Sequence, residues 1–83
     1  LGIPINIKAV IYVDSSTNGV IRIYDITNSK IICEKTLITN TTQQIIDLGI
    51  ISNIPTTQSI FETQLKTDAA NKSIYIQCLI IKF

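Results

Sequence analysis

The strongest constraint on this chain is a two-residue alternation of apolar and more polar side chains near its beginning. Ile5, Ile7, Ala9, Ile11 and Val13 occupy the odd positions, and Asn, Lys and Tyr are among the residues between them. A period of two places alternate side chains on opposite faces of a β-strand, whereas an amphipathic helix requires a period near 3.6. The pattern therefore predicts a strand with one buried face.

The rest of the chain repeats this pattern between polar turns. Strands are predicted over residues 5–13, 20–24, 30–38, 43–51, 58–66 and 73–83. Asn18-Gly19 predicts a hairpin turn between the first two strands, and Gly49 predicts a bulge or bend within the fourth. Ile, Val and Thr make up about 40 % of the residues, which favours strands. We expect residues 1–83 to form one all-β domain, an antiparallel, jelly-roll-like β-sandwich of about six strands without significant helix.

Composition excludes several classes of function. The sequence has no His, which excludes catalysis by His and zinc sites that need His. A net charge of +1 argues against a nucleic-acid partner, and no apolar run is long enough for a membrane-spanning helix. Because the sequence starts at Leu1 and contains no Met, we expect it to be part of a longer chain.

Several aspartates lie near predicted turns, where carboxylates could bind calcium. They are spaced far apart, and Asp in a turn usually accepts hydrogen bonds from its own backbone. We therefore predict no metal site at these residues, which are Asp14, Asp25, Asp47 and Asp68 together with Asn18.

Glu34 and Glu62 are the only glutamates, and both lie within predicted strands. Two carboxylates could serve as a general acid and base. Arg22, Lys35 and Lys66 lie on neighbouring strands, which favours cross-strand charge pairs on a solvated face instead. No base is available to activate a Ser or Thr hydroxyl. We predict no enzymatic activity, no catalytic residue and no cofactor.

The aromatic residues leave two interpretations open. Tyr12, Tyr24, Tyr75, Phe61 and Phe83 are the complete set. Exposed rings on a sandwich can stack on sugars, although such modules usually also use Trp, and this chain has none. Packing in the core or at its rim is the more common role.

Two further pairs of residues are candidates for covalent modification. Cys33 and Cys78 allow one disulfide, but we predict two free, buried thiols. Asn40-Thr41-Thr42 and Asn71-Lys72-Ser73 match the N-glycosylation pattern and matter only on a secretory route.

The last predicted strand is apolar on both faces. Strict alternation places Ile74, Ile76, Cys78 and Ile80 on one face, and Tyr75, Leu79, Ile81 and Phe83 on the other. A two-layer sandwich buries only one face of each strand. We therefore expect the second group to form an interface, with a second copy of the chain or with other proteins.

Four segments carry a resemblance to a known class of proteins: Ile-Arg-Ile-Tyr-Asp-Ile-Thr-Asn at 21–28, Ile-Asp-Leu-Gly at 46–49, Ile-Pro at 54–55 and Phe-Glu-Thr-Gln-Leu-Lys at 61–66. With the long apolar last strand, this order resembles β-sandwich and jelly-roll domains of virion structural proteins. These include head or tail fibre, decoration and minor capsid proteins. The resemblance implies a structural domain of a virion that packs against other virion proteins. A full jelly roll has eight strands, so either two strands are missing or a partner completes the sandwich.

Two other functions stay open. The chain could be a carbohydrate- or receptor-binding module for surface glycans. It could also be an extracellular filament or adhesin subunit that donates a strand, in which case residues 1–13 would pair with another chain.

Overall fold

A computed structural model describes residues 6–83, and the regular secondary structure in this range is entirely β. The strands are β1 (Asn6–Val13), β2 (Gly19–Asp25), β3 (Lys30–Ile38), β4 (Gln44–Asp47), β5 (Phe61–Thr67) and β6 (Ile74–Lys82).

The strands form two antiparallel three-stranded sheets. The first sheet has the order β4-β1-β6, and the second has the order β3-β2-β5. The predicted all-β sandwich of six strands is confirmed. The core lies between the sheets and consists of Ile7, Ala9, Ile11, Val13, Ile21, Ile23, Ile32, Cys33, Ile38 and Leu48.

The predicted hairpin at Asn18-Gly19 is wrong, because β1 and β2 belong to different sheets. Gly19 allows close packing between the two sheets and does not form a hairpin turn. A Cβ at this position would lie 2.7 Å from both Ile74 Cδ1 and Val13 Cγ1. The absence of a side chain lets β2 start directly beneath the first sheet. Among the links within residues 6–83, only the β2–β3 link joins neighbouring strands of one sheet.

The predicted bulge or bend at Gly49 within a strand over residues 43–51 is wrong, because the fourth strand is shorter than expected and does not resume after Gly49. β4 ends at Asp47, and Gly49 has a φ of 87°, in the region that L side chains rarely adopt. The Gly49 N–H donates to Asp47 Oδ1 over 2.8 Å, which closes the turn.

The predicted faces of the last strand are wrong beyond Gln77. The register between β1 and β6 shifts at this point, so that Ile11 faces Ile76 whereas Val10 faces Cys78. One extra residue in a bulge moves all later side chains to the opposite face. Leu79 and Ile81 therefore share the inner face with Ile74 and Ile76, and Tyr75, Cys78 and Ile80 lie on the outer face.

Candidate assembly surfaces

The structure separates the four residues predicted as an interface. Tyr75 lies on the outer face of the first sheet, opposite Tyr12. Leu79 and Ile81 lie on the inner face, and Ile81 is 47 % exposed at the open side of the sandwich. Phe83 follows the end of β6 and is exposed. These residues therefore belong to more than one surface.

The outer face of the first sheet carries an apolar surface, which we call the outer patch: Val10, Tyr12, Ile45, Tyr75, Cys78 and Ile80. Ile45, Val10 and Cys78 form one row across the three strands. Ile45 is 62 % exposed and Ile80 is 43 % exposed. The solvent face of an antiparallel sheet is usually polar, so this row departs from the usual pattern.

Polar groups border the outer patch at both ends. At one end, Lys8 lies opposite Asp47, and the Asn6 side-chain amide donates to Asp47 Oδ2 over 2.9 Å. The Gly49 N–H, the Asn6 amide and the nearby Lys8 hold the pKa of Asp47 below its usual value. At the other end, the Tyr75 hydroxyl donates to Asp14 Oδ1 over 3.1 Å. An apolar centre with a polar border is typical of a protein–protein contact surface.

The aromatic residues do not share one surface. Tyr12 and Tyr75 stack with ring centroids 4.7 Å apart and an interplanar angle of 18°. Each ring therefore covers one face of the other, which leaves less ring surface for a sugar. Tyr24 belongs to the second sheet and lies beneath the Arg22 guanidinium, 5.0 Å from it.

A second apolar surface lies on the side of the sandwich where β5, an edge strand of the second sheet, is next to β6, an edge strand of the first. We call it the β5/β6 margin, and it consists of Phe61, Thr63, Leu65, Leu79 and Ile81. A cleft of about 160 Å³ opens between the sheets here, and these residues apart from Leu65 line it together with Ile7, Ile23, Ile32, Ile54 and Glu62. The margin exposes inner-face side chains that a closed sandwich would bury.

The aspartates stabilise turns and links. The Asp68 carboxylate accepts hydrogen bonds from the Asn18 N–H and side-chain amide, each over 2.8 Å, and from the Thr17 hydroxyl over 3.0 Å. These bonds lower the pKa of Asp68, the Asn18 N–H contributing most. They connect the β1–β2 link with the β5–β6 link. Asp25 is fully buried and accepts from the N–H and side-chain amide of Asn28.

Residues 6–83 contain no group of three or more His, Cys, Asp or Glu side chains that could hold a metal ion. They also contain no helix long and apolar enough to cross a membrane.

Glu34 and Glu62 lie on the two edge strands of the second sheet, opposite Arg22 and Tyr24 of β2. Glu62 accepts a hydrogen bond from the Gln64 amide, and Gln64 in turn accepts from Arg22. Glu34 and Arg22 also line a pocket of about 200 Å³. The two carboxylates thus lie on a polar sheet face, beside cross-strand partners.

The two thiols lie in different environments, and both are free. Cys33 is buried as predicted, and burial raises the pKa of its thiol. The prediction that Cys78 is buried is wrong, because the bulge at Gln77 turns this residue to the outer patch.

The two glycosylation motifs differ in accessibility. The Asn40 side-chain nitrogen donates to the carbonyl oxygens of Ile11 and Thr42, over 2.7 and 2.9 Å. Both of its hydrogens are therefore engaged. Asn71 is exposed in the β5–β6 link.

The position of β1 bears on strand donation. The predicted donor segment, residues 1–13, lies partly outside the described residues. Asn6–Val13 is the central strand of the first sheet and pairs with both β4 and β6. This pairing argues against donation of β1 to another chain.

Sequence reasoning missed the outer patch, although a signal was present. Val10 interrupts the polar positions of β1, and Ile45 lies opposite it on β4. Recognising the patch required the register of β4 and β6 against β1.

No protein-family model, curated protein or solved structure matches this chain.

Proposed function

We propose that this chain is a non-enzymatic structural domain that assembles through protein–protein contacts at the outer patch. The observation that supports this proposal is the row Ile45, Val10 and Cys78, flanked by Ile80 and the tyrosine pair. Burial of apolar surface is worth about 25 cal/mol per Å², so covering this row would favour association. The polar border at Asp14 and Asp47 would limit the contact to one face.

The virion setting of the proposal is supported by the sequence resemblance. Its motif residues have structural roles in this fold. Asp25 and Asn28 close the β2–β3 turn, and Arg22 lies over Tyr24. Structural roles for these residues suit a building block of a particle, in which the domain packs against copies of itself or other virion proteins.

Sedimentation velocity over a range of protein concentrations tests the proposal. We expect the chain to associate and the double variant Ile45→Thr/Ile80→Thr to remain monomeric at the same concentrations. Thr keeps the β-branched shape of Ile and removes apolar area, and both side chains are exposed, so the fold should persist.

Ile50→Thr is the matched control, because Ile50 is 89 % exposed and lies outside the patch. The proposal is wrong if the double variant associates as strongly as this control. A glycan-array signal that disappears on substitution of Tyr12 or Tyr75 would instead favour the carbohydrate-binding alternative.

A further inference from the structure

The outer patch has opposite charges at its two ends. Within the described strands of the first sheet, the charged residues are Lys8, Lys82 and Asp47, and all three lie at one end. At the other end lies Asp14, whose carboxylate accepts hydrogen bonds from the Tyr75 hydroxyl over 3.1 Å and from a backbone N–H over 2.7 Å. The β5–β6 link adds one aspartate and one lysine, which offset each other. Ends of opposite charge suit two copies of one surface that lie head to tail.

We propose that a second copy of this chain covers the outer patch face to face, with its strands antiparallel to those of the first copy. The two-fold axis runs along the row Ile45, Val10 and Cys78, which we call the middle row. A two-fold contact uses the same surface on both subunits, and facing sheets lie about 10 Å apart with their side chains meeting between them. The proposal rests on the function proposed above and names its partner and orientation.

The register of the first sheet shows which side chains would meet. Asp47, Lys8 and Ile80 form the row on one side of the middle row, and Tyr12 and Tyr75 form the row on the other side. A half-turn about the middle row exchanges these two rows between the copies. Ile80 then packs on Tyr75 of the second copy, and Lys8 lies over the ring of Tyr12 of the second copy. An apolar contact and a cation–π contact result, and each occurs twice.

The other simple two-fold arrangement, with the axis along the strands, is less favourable. It leaves each row opposite itself and places β4 of one copy opposite β6 of the other. Ile80 would face the Asp47 carboxylate of the second copy, and Lys8 would face Lys8 of the second copy. Covering a charged group with an apolar side chain and apposing like charges both oppose association. The arrangement of charges on this face therefore favours the axis along the middle row.

The size of the face indicates a weak, reversible dimer. Three strands about 4.8 Å apart and about eight residues long give a face of about 400 Å². Two such faces cover on the order of 800 Å² together, less than the roughly 1,200 Å² of stable interfaces. The dimer should therefore form reversibly at high protein concentration, and its test has to capture a fraction of the molecules.

Cross-linking through Cys78 tests the orientation. The axis along the middle row places the exposed Cys78 thiol opposite the same thiol of the second copy, whereas Cys33 is buried. A short bismaleimide, which adds to one thiol at each end, should give covalent dimer in a yield that increases with protein concentration. The variant Cys78→Ser should give none.

The matched control is Cys78→Ser/Ile80→Cys, which moves the thiol two residues along the same face of β6. In the proposed dimer its two thiols lie about 13 Å apart along the strands, so its yield should be at least about fivefold lower than that of the wild type. The two proteins are compared at equal dimer fractions measured by sedimentation. Equal cross-link yields refute the proposed orientation.

The dependence of association on salt is a second test. Lys82 of one copy lies toward Asp14 of the other, so raising NaCl from about 50 to 500 mM should weaken association at least about twofold. Lys82→Gln should remove most of this effect, and the control Lys66→Gln, on the second sheet, should retain it. Association that strengthens with salt would mean that like ends meet, and would refute the proposed orientation.

The outcomes separate this inference from the proposed function. Association that requires Ile45 and Ile80 but gives equal cross-link yields refutes the orientation and leaves the proposed function standing. Association that persists in Ile45→Thr/Ile80→Thr refutes the proposed function and the orientation with it. A chain that stays monomeric at every concentration refutes the second copy as the partner.

Discussion

Gly19 provides the most direct test of how the two sheets pack. Its Cβ position lies 2.7 Å from Ile74 Cδ1 and from Val13 Cγ1, and 3.5 Å from Ile74 Cγ1. Ordinary contacts between carbon atoms are about 3.5–4.0 Å, so an Ala side chain would overlap both neighbours. We expect Gly19→Ala to destabilise the fold through crowding.

The size of this destabilisation depends on how far the side chains of Ile74 and Val13 can move. Ile74 Cδ1 is the end of a flexible side chain and can rotate away, whereas Val13 is β-branched and restricted at χ1. Overpacking a core by one methyl group costs about 1–3 kcal/mol. Because Val13 cannot turn away and Ile74 can move only by leaving its packed rotamer, both overlaps carry a cost, and we expect Gly19→Ala to lower the free energy of unfolding by about 2 kcal/mol.

A double-mutant cycle measured by urea unfolding checks this reasoning. Ile74→Val alone should cost about 0.5–1.5 kcal/mol. In combination with Gly19→Ala, the total loss should be smaller than the sum of the two single losses by about 1 kcal/mol, because Val lacks the overlapping Cδ1. Far-UV circular dichroism at one protein concentration is a suitable probe, since the chain contains no Trp.

Gly49→Ala is the matched control. A Cβ there would lie 3.9 Å from the Glu34 carbonyl oxygen, so space is available, but the φ of 87° is unfavourable for Ala. Its cost of about 1–2 kcal/mol should simply add to that of Ile74→Val. The packing argument is refuted if Gly19→Ala leaves stability within about 0.5 kcal/mol of the wild type, or if its cost is additive with that of Ile74→Val.

Three further predictions concern polar and thiol groups. The pKa of Asp68 is lowered in the folded protein, so its carboxylate contributes stability above the unfolded pKa that is lost as the pH falls through the folded pKa. Thermal unfolding from pH 7 to pH 2 should therefore show a smaller acid-induced decrease in Tm for Asp68→Asn than for the wild type. Equal decreases in Tm would contradict this. Asp25→Ala should lower the free energy of unfolding by about 1–3 kcal/mol, because a buried acceptor for two Asn28 donors is lost. Urea unfolding measures this, and an unchanged midpoint would be the negative result. Thiol labelling of monomeric protein with a disulfide reagent should modify Cys78 at once and Cys33 only on unfolding, since burial raises the pKa of Cys33. Equal labelling rates for the two thiols would contradict the buried position of Cys33 and the exposed position of Cys78.

The sequence predicted where the strands lie better than how they pair. Alternation is a local property, and it located all six strands to within a few residues. Pairing depends on contacts between distant residues, as at Asn18, which meets Asp68 fifty positions away in the chain. The Asn-Gly pair locally favours a hairpin turn, but Gly19 is needed because Ile74 of the other sheet leaves no room for a side chain there.

The surfaces were harder to predict for a related reason. One extra residue at Gln77 exchanges the faces of everything after it, so Leu79 and Cys78 changed places relative to strict alternation. No pattern within β6 reveals the bulge, because apolar residues occupy both faces. The last strand does leave apolar surface exposed, as at Tyr75 and Ile81, but on different faces of the sheet.

The order of the strands has a consequence for synthesis of the protein. Within the described part of the chain, four of the five links pass from one sheet to the other, and β1 has β6 as one of its two neighbours. During synthesis, β1 therefore lacks one of its two neighbours until β6 has also left the ribosome. Such distant pairing slows folding and leaves the apolar face and the hydrogen-bonding edge of β1 uncovered in the meantime.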